Sequence, residues 1–121
     1  MSRYLLLLLW AFVPQVFAQA PADPSTALHA FFDAQWERTL REAPELASYR
    51  GDARYNDRWS DQSMDAIEGR QAADRAALVQ LRAIDRGALA AADQLNYDVA
   101  LWQLEKAVER QQYREFLRPV S

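Results

Sequence analysis

Residues 93–114 read DQLNYDVALWQLEKAVERQQYR, and the placement of their apolar side chains decides the fold. Winding them at about 100° per residue with Leu95 at zero puts Val99 near ~40° and Trp102 near ~340°. Tyr97, Leu101, Leu104 and Val108 fall on the opposite side, between about 180° and 240°. No alternation of period two runs through the segment, so a strand is excluded and a helix over about 92–114 is predicted. A helix with two opposed apolar faces has to be covered on both. Leaving three such side chains in water forgoes roughly 1.5–3 kcal/mol each, against a total stability of about 5–15 kcal/mol for a small domain.

Working outward, the preceding segments supply two more long helices. The first is predicted over about 24–43, with Asp23 or Ser25 as its cap and Pro24 tolerated in its first turn. Leu28, Phe31, Phe32, Trp36 and Leu40 share one side of it, and Glu37, Arg38 and Arg41 lie on the other. It stops before Pro44, because proline disfavours helical geometry in the residue ahead of it. A short helix over 44–50 follows and ends at Gly51. The second long helix, about 63–84, is capped by Ser60 or Ser63. Its stripe of Met64, Ile67, Leu78 and Leu81 is interrupted by Gln71 and Asp74, so alanine propensity carries it more than pattern does. Asp85-Arg86-Gly87 is read as the turn into the third long helix, and Pro119 closes the pattern. The predicted fold is therefore all-α: three main helices and one short one, forming an incomplete bundle.

Residues 1–20 stand apart from that domain. Arg3, the apolar run Tyr4 to Val13, Pro14, and the small-residue sites ending at Ala18 and Ala20 have the layout of a cleavable secretory signal. Ten apolar residues rise only ~15 Å as a helix, about half of a bilayer core, which argues against a stable membrane span. The expected location is the periplasm or the exterior, after cleavage near Ala18 or Ala20. Residues 21–121 remain as a helical segment.

Composition narrows the function. The 121 residues are half hydrophobic with 3 Gly and 5 Pro, a globular composition. Net charge is −3 and becomes −4 once Arg3 is removed, with acids and bases interspersed, so nucleic acid is not an expected partner. The absence of cysteine excludes disulfides and thiolate metal sites.

No active site is expected in this chain. Hydrolytic zinc needs about three protein ligands and an open position, and His29 is the sole histidine. His29 with Asp33 one turn on could give two ligands; a histidine at a helix border bonded to that neighbour is the preferred reading. Asp52, Asp57 and Asp61 lack the alternating spacing and central glycine of a calcium loop. Salt bridges to Arg54 and Arg58, with Tyr55 and Trp59 as anchors, account for that loop more simply. Arg50-Gly51-Asp52 matches an adhesion tripeptide by letters alone. Ser25, Ser48, Ser60, Ser63 and Ser121 lack a glycine-flanked nucleophile elbow. No catalytic, cofactor-binding or metal residue is assigned.

The residues do carry a family likeness. Leu28-His29-Ala30-Phe31-Phe32-Asp33, Trp36, Pro44-Glu45-Leu46-Ala47 and Gly51-Asp52-x-Arg54-Tyr55-Asn56-Asp57-Arg58 follow one another in order. Leu81-Arg82-Ala83-Ile84-Asp85, Asp93-x-Leu95-x-Tyr97-Asp98, Leu104-Glu105 and Arg114-Glu115-Phe116-Leu117-x-Pro119 complete the series. Together they resemble the start of the bacterial domain-of-unknown-function 885 family, whose members are viewed as exported, mainly helical zinc metallopeptidases. The resemblance implies a chain that corresponds to the opening, truncated portion of a larger metallopeptidase-like domain. The family's His-Glu metal motif has no counterpart in it, so zinc is implied for full-length members only. The uncovered face of the third long helix then meets the missing C-terminal catalytic portion. A stand-alone helical protein that binds a partner or self-associates through that face is the alternative.

Overall fold

The computed structural model describes residues 23–113; the proposed signal segment and the Arg114 to Pro119 motif lie outside them. Four helices follow in order: α1 (Pro24–Glu42), α2 (Pro44–Tyr49), α3 (Met64–Arg82) and α4 (Ala91–Arg110). No strand occurs among the described residues.

The helix ends follow local chemistry. Asp23 caps α1 by accepting from the Thr26 amide, and Ser63 caps α3 by accepting from Ala66. Each supplies one acceptor to the amides that a first turn leaves without intrahelical partners. α1 stops at Ala43, whose ψ of 73° ahead of Pro44 is not helical. α2 ends in a Schellman closure. Gly51 takes a φ of 83°, Asp52 N–H donates to Ala47 C=O at 2.9 Å, and Gly51 N–H donates to Ser48 C=O at 3.0 Å. Asp85 caps the tight turn Arg86–Ala88 through the Gly87 amide. α4 begins at Ala91 without a side-chain cap and ends at Arg110. It gives way to a tight turn over Gln111–Tyr113, short of the helix expected to 114. α3 likewise falls a residue or two inside the expected 63–84, as frayed ends commonly do.

The core joins Leu28 and Phe31 of α1, Ala77 and Leu81 of α3, Leu89, and Tyr97 of α4. Phe32, Ile84, Leu101 and Leu104 pack around it. A second buried group, Leu40, Pro44 and Ala47, forms where α2 folds back on α1. The polar interruption of α3 has a structural use. Asp74 accepts from Arg38 of α1 at 2.8 Å, and the Gln71 carbonyl accepts from Gln111 at 3.1 Å, tying the end of α4 to α3. α3 packs along α4 far more than α1 does.

Three side chains depart from the sequence expectation. Trp36, placed on the buried side of α1, is 46% exposed. It sits one turn ahead of Leu40, which is buried. Met64 is half exposed at the free start of α3. Trp59, expected to anchor its loop, is 82% exposed.

Candidate functional site

Tyr97 of α4 is buried, and Leu101 and Leu104 pack against the core. The opposite face stays open: Leu95 is 64% exposed, Val99 48% and Trp102 61%. Beside it, the shallow approach of α1 to α4 leaves a groove of two adjoining depressions. One, of about 510 Å³, is lined by Phe32, Leu95, Val99 and Gln103. The other, of about 260 Å³, is lined by Phe31, Phe32, Gln35, Arg38 and Leu104. Phe32, Ala100 and Gln103 belong to both, so the two form one trough.

Polar atoms at the groove are left without partners. Gln35 Oε1 and the Nε and Nη1 atoms of Arg38 are buried and accept or donate no hydrogen bond among the described residues. Glu42 lies 3.7 Å from Arg38 Nη1, close enough for charge attraction and too far for a hydrogen bond. Buried polar atoms are rarely unsatisfied in native proteins, because each forfeits its hydration.

The loop over 50–62 is held by its own charges. Arg54 bridges Asp52 at 2.6 Å and Glu37 of α1 at 3.0 Å. Hydrogen bonds from Arg54 hold the Asp52 carboxyl below the usual aspartate range. Arg54 and Arg58 both lie over the Tyr55 ring, while Arg58 pairs with adjacent Asp57 at 3.2 Å. Asp61 accepts from the Ser63 amide at 2.8 Å. Glu45 of α2 receives both the amide and the hydroxyl of Ser60. The three aspartates therefore serve Arg54, Arg58 and a helix start separately.

His29 does not pair with Asp33. Its Nε2 lies 3.1 Å from Asp93 Oδ1 on α4, and Ser25 Oγ donates to Asp93 Oδ2 at 2.8 Å. The composition is that of a serine–histidine–aspartate triad, but the wiring differs. The carboxylate receives both groups, whereas a triad needs the serine hydroxyl on the imidazole. These contacts clamp the start of α1 to the start of α4. Among the described residues no three His, Cys, Asp or Glu side chains gather as a metal ion would require. The donor set described does not fit a zinc centre. No helix among the described residues is long and apolar enough to cross a membrane.

Residues 44–121 match the family described as "Bacterial protein of unknown function (DUF885)". The chain belongs to this family. The DUF885 match starts at Pro44, so it takes in α2, α3 and α4 and leaves α1 outside it. The Pro44-Glu45-Leu46-Ala47 and Tyr55-Asn56-Asp57-Arg58 signatures lie inside the match, and the Leu28 to Asp33 segment and Trp36 lie ahead of it. No curated protein and no solved structure matches the chain.

Proposed function

We propose that this DUF885 chain is the helical scaffold portion of an exported, zinc-dependent peptidase-like protein, and that it is catalytically silent by itself. The open face of α4 is where further helices of that protein pack. The observation that carries the reading is the exposure of Leu95, Val99 and Trp102 on a helix whose other face is already in the core. Covering the three would recover a large part of the roughly 1.5–3 kcal/mol per side chain that burial supplies. Gln35 and Arg38 would supply polar contacts at the edge of the same interface. Export rests on the amino-terminal layout, and zinc on what the family likeness implies for longer members.

Expressing the gene together with the reading frame that continues or follows it tests this. A longer product or a co-purifying polypeptide, with α4 amides protected from hydrogen exchange and peptide hydrolysis abolished by a chelator, is the expected result. A chain that remains alone, soluble and monomeric by light scattering, beside a clean intergenic gap, would overturn it. A discrete dimer dispersed by Trp102→Glu would assign the same face to self-association instead.

A further inference from the structure

A second surface, separate from α4, has the makings of a ligand site. A cleft of about 550 Å³ opens between the end of α1, the loop after α2 and the first half of α3. Arg41, Arg58 and Arg70 reach it from those three elements, and Trp59 forms part of its wall. Four arginines elsewhere, Arg38, Arg54, Arg82 and Arg86, each hold a carboxylate supplied from another part of the chain. In the cleft, Arg58 bonds only its neighbour Asp57 and lies over the Tyr55 ring, and Arg70 donates to the Asp61 carbonyl at 2.7 Å. Arg41 makes no hydrogen bond or ion pair among the described residues. Most of the N–H donors of three guanidinium groups thus remain available around one space.

Two carboxylates also line the cleft, and both are engaged. Glu42 faces Arg38, and Asp61 accepts from the Ser63 amide. With Asp57 on Arg58, three cations are matched by three anions, so the pull on a ligand anion comes from the free guanidinium N–H donors and not from net charge. The indole of Trp59, 82% exposed, does nothing for the core. Gly69 adds an independent sign. It lies inside α3, where glycine costs about 1 kcal/mol relative to alanine. Its backbone does not need it, and a Cβ built there would meet nothing within 4 Å. No packing among the described residues explains the missing side chain, but Gly69 and Ala66 together keep one wall of the cleft low.

We infer that this cleft binds an oxyanion carried on a flat apolar body, with the guanidinium groups of Arg41, Arg58 and Arg70 on the carboxylate or phosphate and the body against Trp59. Planar guanidinium forks match such groups bidentately, and an indole face takes flat apolar groups and leaves a polar edge in water.

Benzene-1,3-dicarboxylate, inorganic phosphate and an acetyl-capped tetraglutamate peptide, titrated separately into the purified chain and followed by the indole N–H resonances, test the inference. Saturable binding of the aromatic diacid is expected, moving a resonance that Trp59→Phe removes and weakening at high salt. An Arg41→Ala/Arg58→Ala double variant should weaken it by about tenfold or more. Gly69→Leu fills the cleft and should abolish binding while the melting temperature holds or rises, which separates a blocked site from a damaged fold. Preference for the aromatic diacid over the tetraglutamate peptide is expected, because the peptide offers no flat body to Trp59; equal or tighter binding of the peptide would overturn the inference. No saturable response to any of the three probes, phosphate binding alone, or an affinity untouched by the arginine and glycine variants, would overturn the inference.

Discussion

Replacing Leu95, Val99 and Trp102 together by glutamine separates a face the chain covers from one it leaves open. At 64%, 48% and 61% exposure, each side chain has withdrawn only about half of its surface or less from water. Full burial is worth about 1.5–3 kcal/mol, so each retains about 0.5–1.5 kcal/mol, and the methylenes of glutamine keep part of that. Glutamine matches leucine in helix propensity and exceeds valine and tryptophan, which returns a few tenths at two of the positions. The triple variant should lose about 2 kcal/mol. Leu28→Ala, at a fully buried core position, should cost about 2–5 kcal/mol by itself. For a domain of this size ~1 kcal/mol moves the melting temperature by about 4–8 °C. Thermal melts followed by circular dichroism should therefore show the single core change doing more damage than the three surface changes combined. If the triple variant melts as low as Leu28→Ala, the face is buried in solution and the interface reading of α4 is wrong.

Two glycines should respond with opposite sign to the same substitution. Gly69→Ala should stabilise by about 1 kcal/mol, and Gly51→Ala should destabilise by about 1 kcal/mol because its φ of 83° suits glycine alone; urea midpoints would read both. Asp74→Asn should destabilise more than Glu105→Gln, since the Arg38–Asp74 pair is largely covered and the Arg82–Glu105 pair is not; exposed pairs are worth about 0–1 kcal/mol. Hydrogen bonds from Ser25 and then His29 hold the Asp93 carboxyl below the ordinary aspartate value of 3.8. A depressed folded-state pKa adds stability above pH 3.8 that is lost as pH falls through the lower folded value. Asp93→Asn should flatten that acid limb in melts taken from pH 5 to pH 2.

The helices were legible because their boundaries are written locally. Asp23, Ser63, Pro44 and Gly51 each act through their own backbone neighbourhood, so a reader of the sequence finds them where the structure does. The two-faced character of the third long helix was legible for the same reason: helical winding is fixed before any tertiary contact forms. What failed depended on distance along the chain. His29 was assigned to Asp33, one turn away, but its partner Asp93 stands 64 residues on. Trp36 and Leu40 share a helix side, yet only Leu40 is buried, which no helical projection can reveal. The cleft at Trp59 escaped because Arg41, Arg58 and Arg70 come from three elements and carry no common spacing. Gly69 was the one available signal, as a helix-interior glycine without a local reason.

The clamp on Asp93 has a consequence for how the molecule loosens. α4 starts at Ala91 with no capping side chain of its own, and the carboxylate in its first turn is held by two residues from the first turns of α1. Neither end can fray without releasing the other, so the amide protons of these two starts should exchange with solvent at a common opening energy. α2 and its loop, fastened instead through Glu45–Ser60 and Arg54, should open as a separate, earlier unit. An event at the amino-terminal edge of α1 is thereby felt at the root of the helix that presents Leu95, Val99 and Trp102.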